Sequence, residues 1–144
     1  MAEVTVGTPD DATVARVLAG WPALGAEIGE KTLPQEVAFD QIDGVSYTKG
    51  CYTGQETVAR VHFRGHPNRE LRGLVWDDLG ELRSEGVEAE GKEVGRFTSL
   101  IVTPTRRFGL AVLRREVVPG AAVLAGGEPA TVVALPFSPF PLAA

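Results

Sequence analysis

The sequence predicts an α+β protein in two parts: a segment with helical signals over residues 1–66 and a small antiparallel β-barrel over residues 67–144. Three observations carry this. A capped amphipathic stretch lies near the start of the chain. The second half breaks into short apolar runs separated by turn residues, the pattern of a small barrel. The change of texture falls at Gly65-His66-Pro67-Asn68. The chain has 144 residues and is 44% hydrophobic, enough for a packed core and too apolar for disorder. Each part alone is near the size at which a core becomes marginal, so the two are expected to pack together.

The elements follow in order. Thr8-Pro9-Asp10-Asp11 has the form of an N-cap, a proline at the first helical position and acids on the positive end of the helix dipole. Val14, Val17 and Leu18 then fall at i, i+3, i+4 spacing, and Gly20 is placed to end the helix. Leu33-Pro34-Gln35-Glu36 opens a further short helical turn. Asp43-Gly44 signals a turn, with Val45-Ser46-Tyr47 strand-like after it. Thr53-x-x-Glu56 fits a capping box, which predicts a helix through Val58 and Val61 stopped by Gly65 and Pro67. Strands are expected at Leu71–Trp76, Gly95–Thr103, Phe108–Arg114, Ala121–Ala125 and Ala130–Leu135, with Gly126-Gly127 joining the last two as a hairpin.

Composition excludes some classes of function. No run approaches the roughly 18 apolar residues of a membrane span. Met1-Ala2-Glu3-Val4 has no basic or apolar leader pattern, so no secretory signal is expected. The single cysteine, Cys51, cannot form an internal disulfide, and a reducing, cytoplasmic setting is expected. A net charge of -5 argues against direct nucleic-acid binding. The charge is unevenly placed: Val58–Arg72 holds four arginines and one acid, whereas Asp77–Glu93 holds seven acids and two bases. One basic zone on an acidic protein suits a small anionic ligand better than a polynucleotide; it is also the pattern of an ordinary solvated face.

Chemistry centres on Cys51. It precedes the predicted helix start at Thr53, with Lys49 two residues earlier, and both a helix N-terminus and an ammonium stabilise a thiolate. Gly50 and Gly54 allow the backbone to approach a ligand closely. The plain alternative is a small buried hydrophobe. His62 and His66 have the spacing of a metal pair on one helical face, but Gly65 and Pro67 interrupt that helix, and no metal-ligand set is assigned. Arg60, Arg64, Arg69 and Arg72 offer forked donors to carboxylates or phosphates, with Glu56 and Arg60 also spaced to pair with each other.

Lys49-Gly50-Cys51-Tyr52-Thr53-Gly54-Gln55-Glu56, followed by Val58-Ala59-Arg60 and Phe63-Arg64-Gly65, resembles the signature of the YgfZ family of folate-binding proteins, relatives of the glycine-cleavage T-protein. Arg16-Val17-Leu18-Ala19-Gly20-Trp21-Pro22, Leu33-Pro34-Gln35-Glu36, Val94–Ser99 and Ala134-Leu135-Pro136-Phe137 extend the likeness over nearly the whole chain. The resemblance reaches only the C-terminal half of such proteins, as a gene fragment, a mis-set start or a split protein would.

The resemblance implies a partial ferredoxin-like or helical folate-binding region carrying the octapeptide, followed by a Greek-key β-barrel of the T-protein C-terminal type. It implies a tetrahydrofolate-binding factor that supports assembly or repair of iron–sulfur clusters, including those of tRNA-modifying enzymes. The alternatives are an aminomethyltransferase and a truncated remnant that binds nothing tightly. Cys51 would be the functional thiol with Lys49 beside it, and Gly50, Tyr52, Gly54, Gln55 and Glu56 would shape the site. Arg16, Arg60 and Arg64 would face the folate. Expected partners are folate, iron–sulfur proteins or their assembly machinery, and the remaining half of the protein or a second copy, with no membrane. Leu18 stands where a T-protein carries the carboxylate that would hydrogen-bond a pterin, which counts against the aminomethyltransferase.

Overall fold

The computed structural model describes residues 7–137. Helix α1 spans Pro9–Ala19. The Thr8 hydroxyl accepts from the Asp11 amide, and the Asp11 carboxylate accepts from the Thr8 amide at 2.7 Å, completing a capping box. Gly20 ends the helix with φ 73°, the left-handed conformation that lets its amide reach back to the last carbonyls. Two 3-10 turns follow, Pro34–Val37 and Phe39–Ile42. Helix α2 spans Gln55–Arg64 and stops at Gly65 as its sequence predicts.

The rest forms six strands: β1 (Arg69–Trp76), β2 (Gly86–Ala89), β3 (Lys92–Val102), β4 (Arg107–Arg114), β5 (Ala122–Ala125) and β6 (Glu128–Val133). They close into an antiparallel barrel in the order β1-β4-β3-β2-β5-β6. The run β4-β3-β2 is a meander and β1 returns to lie beside β4, which is Greek-key connectivity. The α+β class and the barrel agree with the sequence. Gly126 and Gly127, at φ 66° and 86°, make the β5–β6 turn; positive φ at both central positions matches the twist of a tight hairpin.

Alternate residues of the strands fill the barrel. Leu74, Trp76, Val87, Phe97, Ala111, Leu113, Val123, Ala125 and Val132 form its core. The Trp76 indole, fully buried, donates to the Ala125 carbonyl at 3.1 Å and so meets its polar requirement across the barrel. A second cluster joins α1 to the outer face of the sheet: Val17 and Leu18 pack with Leu71, Ile101, Phe108, Leu110 and Phe137. The Phe137 amide donates to the Leu18 carbonyl at 3.1 Å, tying the last described residue to that helix.

Three expectations are corrected. Val45-Ser46-Tyr47 is irregular rather than strand; Tyr47 is instead spent on stacking against the His62 ring, with centroids 3.6 Å apart. Thr53 does not cap α2: Gly54 takes that position at φ 84° with no side-chain cap, and its carbonyl accepts from Val58 at 3.3 Å. Strand β2 lies inside the acidic stretch where no strand was expected. It needs only Val87 to point inward, because β3 and β5 supply its hydrogen bonds.

Candidate functional site

The Lys49–Glu56 segment forms a loop that enters α2, held mainly by its own backbone. The Lys49 amide donates to the Ser46 hydroxyl at 3.1 Å, and the Gln55 amide to the Tyr52 carbonyl at 3.2 Å. The Lys49 ammonium stands 5.1 Å from the centroid of the Tyr52 ring, within cation–π range. Cys51 is exposed and its thiol is free. Gly50 and Gly54 are exposed too, and nothing crowds the position a side chain would occupy at either. Gln55 is half-buried and Glu56 exposed.

Helix α2 rests on the Pro34–Val37 turn through Gln35. The buried Gln35 amide nitrogen donates to the Val58 carbonyl at 2.9 Å and to the Tyr47 hydroxyl at 3.3 Å. Tyr47 stacks on His62, whose ring meets Phe63 edge-on at 4.8 Å. Sequence reasoning singled out neither Gln35 nor Tyr47 as a site residue; the signal available was the Pro34-Gln35-Glu36 step and the two histidines.

Arg60 and Arg64 lie one turn apart on α2, exposed, and neither takes part in an ion pair among the described residues. Glu56 and Arg60 do not form the pair that their spacing allows. Arg72 pairs with Glu70 on β1. His62 and His66 are both exposed, and no group of three or more His, Cys, Asp and Glu among the described residues is placed to hold a metal.

Arg16 has a different setting. It leaves α1 towards β3, where Nη1 donates to the Glu27 carboxylate at 3.1 Å and to the Trp21 carbonyl at 2.9 Å. Its Nη2 donates to the Ser99 hydroxyl at 2.8 Å. Glu27 also accepts from the Ala23 amide at 2.8 Å and from the hydroxyls of Thr98 and Ser99, each at 2.6 Å. The carboxylate is buried with its charge paired and its oxygens bonded, the condition under which such burial is tolerated. Both ends of the Arg16 guanidinium are thus spent inside the protein. Leu18 is buried in the cluster beneath α1 and faces no cleft.

These placements bear on how the residues fit a folate. Two unpaired guanidinium groups on one exposed helix suit the carboxylates of a glutamate tail. At the pterin end, Leu18 is core and three of the Arg16 donors are taken by Trp21, Glu27 and Ser99.

The comparisons with known proteins point one way. No protein-family model matches the chain. The protein of Serratia proteamaculans called tRNA-modifying protein YgfZ is 47% identical over 90 residues, 61% of this chain and 27% of that protein. Its namesake in Blochmanniella pennsylvanica is 43% identical over 56 residues, 39% of this chain and 17% of that protein. The chain thus matches only a minor share of the length of either relative. Among solved structures, the glycine cleavage system aminomethyltransferase T from Bartonella henselae superimposes with a TM-score of 0.67 at 22% identity, over 84% of this chain and 36% of that one. The likeness read from the octapeptide is therefore borne out: in sequence the chain is a relative of the YgfZ proteins, and in fold it matches the aminomethyltransferase T.

Proposed function

We propose that this chain acts as a YgfZ-like accessory factor that binds tetrahydrofolate and presents the Cys51 thiol in support of iron–sulfur enzymes, those that modify tRNA among them. The observation that supports this reading is the common placement of an exposed thiol and two unpaired arginines: Cys51 on the loop entering α2, Arg60 and Arg64 on α2 itself. Arg60 and Arg64 would hold the glutamate carboxylates of the folate. Lys49, held over Tyr52, keeps a positive charge in the same loop as the thiol. When bound, tetrahydrofolate supplies a carrier for one-carbon units. A reducing cytoplasm suits a protein whose sole thiol is exposed.

An aminomethyltransferase reading draws on the shared fold alone, and a fold hosts many functions. The buried Leu18 offers no carboxylate for a pterin.

The direct test is titration of the purified protein with mono- and polyglutamyl tetrahydrofolate. Polyglutamyl folate should bind more tightly, salt should erode the difference, and Arg60→Ala with Arg64→Ala should abolish it. Equal binding of both folates, unaffected by either substitution, overturns the assignment of the arginines. For the wider role, the gene is expressed in a bacterium deleted for its own YgfZ protein and the tRNA is analysed for modified bases. Restoration by the wild type and not by Cys51→Ser supports the proposal; no restoration, or equal restoration by both, refutes the role given to Cys51.

A further inference from the structure

Three arginines crowd one outer stretch of the barrel. Arg69 on β1 stands directly opposite Arg114 on β4, and Arg96 on β3 stands opposite Val112, two residues before Arg114. Directly opposed residues share a face of the sheet, as do residues two apart on one strand, so Arg69, Arg114, Val112 and Arg96 lie on the same side. That side is the outer one, because Ala111 and Leu113, which alternate with Val112 and Arg114 on β4, belong to the barrel core. All three arginines are exposed, and none takes part in an ion pair among the described residues. Like charges directly opposite each other destabilise a sheet. The fold carries the Arg69–Arg114 opposition at a cost that a bound anion would reduce.

Arg69 and Arg96 also border one cleft, of about 540 Å³, together with Val112. The loop after α1 adds Glu27, Glu30, Lys31 and Glu36 to its lining. Of these carboxylates Glu30 alone is exposed. Glu27 is bonded to Arg16, and Glu36 accepts from the Leu33 amide at 3.0 Å. Three exposed cations, Lys31, Arg69 and Arg96, thus share the cleft with one exposed carboxylate. Cys51, Arg60 and Arg64 do not line it, so the inference stands apart from the folate reading.

The register sets Arg69 and Arg96 two strands and two residues apart, roughly 12 Å between their Cα atoms. Two extended arginine side chains can close on one ligand across that span, with Val112 between them. The volume falls in the range of small-molecule sites, roughly 300–1,000 Å³. Guanidinium forks match both carboxylate and phosphate oxygens. Phosphate oxygens point in several directions, so one diphosphate can accept from both forks and from Lys31, whereas a single planar carboxylate serves one fork. We infer that this cleft is a binding site for a compact organic diphosphate, its phosphates held between Arg69 and Arg96 and its carbon skeleton against Val112.

The test uses inorganic pyrophosphate as the probe, titrated into the whole nitrogen-15-labelled chain and followed by amide chemical shifts. Pyrophosphate is expected to move the amides of Lys31, Thr32, Arg69 and Arg96, and added salt should weaken it. Arg69→Gln and Arg96→Gln should each weaken it about tenfold. Arg83→Gln, which removes an exposed arginine outside the cleft, should not. Citrate, with carboxylates in place of phosphates, should bind about tenfold more weakly than pyrophosphate. Arg69→Gln should also raise the denaturant midpoint, because it relieves the opposition to Arg114, so its lost binding cannot be laid to unfolding. Shifts confined to residues outside the cleft, equal weakening by Arg83→Gln, or citrate binding as tightly as pyrophosphate each overturns the inference. A lower midpoint for Arg69→Gln overturns it as well, since the arginines would then be serving the fold.

Discussion

The Arg16 guanidinium and the Glu27 carboxylate meet at 3.1 Å, with the Glu27 side chain wholly withdrawn from solvent and that of Arg16 24% exposed. Through Ser99 and Thr98 the pair fastens α1 and the loop after it to β3. Arg16→Met would leave a buried carboxylate without its counter-charge, a loss of about 3–5 kcal/mol. Denaturant midpoints of Arg16→Met, Glu27→Met and the double variant should show the double variant losing less than the two single losses added together. Additive losses would mean that the two residues act separately.

Gly20→Ala should destabilise the fold by about 1–3 kcal/mol through backbone strain alone, since φ is 73° there. A methyl group would also sit 2.8 Å from the Leu135 Cβ, so the measured loss should reach or pass the upper end of that range. Chemical denaturation of the variant provides the check. A loss under half a kcal/mol would show that α1 can end elsewhere without cost.

The Asp11 carboxyl is held below its ordinary range, first by the hydrogen bond from the Thr8 amide and then by that from the Thr8 hydroxyl. A depressed folded-state value means that the ionised form favours the fold. Its contribution is present above the ordinary aspartate value of about 4 and is lost as pH falls through the lower folded value. Carbon-detected titration of Asp11 should show this depression, and Thr8→Ala should raise the value towards the ordinary range. Protection factors of the α1 amides, which remove the intrinsic pH dependence of exchange, should fall as pH drops below about 4 in the wild type.

The two tryptophans report on different places. Trp76 is fully buried in the barrel and Trp21 is 56% exposed. Acrylamide should quench the wild type in two components, and Trp21→Phe should leave only the protected, blue-shifted one. Accessible residual fluorescence in that variant would mean that the barrel core is open to solvent.

Features fixed by neighbouring residues were legible in the sequence. Thr8, Pro9 and Gly20 mark both ends of α1, and Gly65 marks the end of α2, because caps depend on a few adjacent backbone groups. Five of the six strands stand out as short apolar runs between turn residues. Strand β2 does not: over four residues, one buried valine among acids and turn residues is too short a pattern. Within the candidate site, the Lys49–Glu56 loop and the arginines of α2 could be picked out by composition. The Glu27 and Gln35 contacts could not, since Glu27 bonds residues 71 and 72 positions away and Gln35 one 23 away. A buried polar residue acquires its meaning from partners that only the folded chain brings near.

Closure of the barrel decides where this molecule can stick to anything. Each of its six strands has a neighbour on both sides, so no strand is left with a whole open edge to recruit a strand from another chain. Association is left mainly to side chains. Bulky aliphatic side chains meet water in both parts, Leu24 and Ile42 in the helical one and Leu79, Val102, Val118 and Leu124 in the barrel, whereas the exposed aromatic ones, Trp21 and Phe63, both belong to the helical part. The barrel therefore presents side chains rather than a strand to a partner, and the two exposed aromatic rings lie in the part of the chain that carries the thiol.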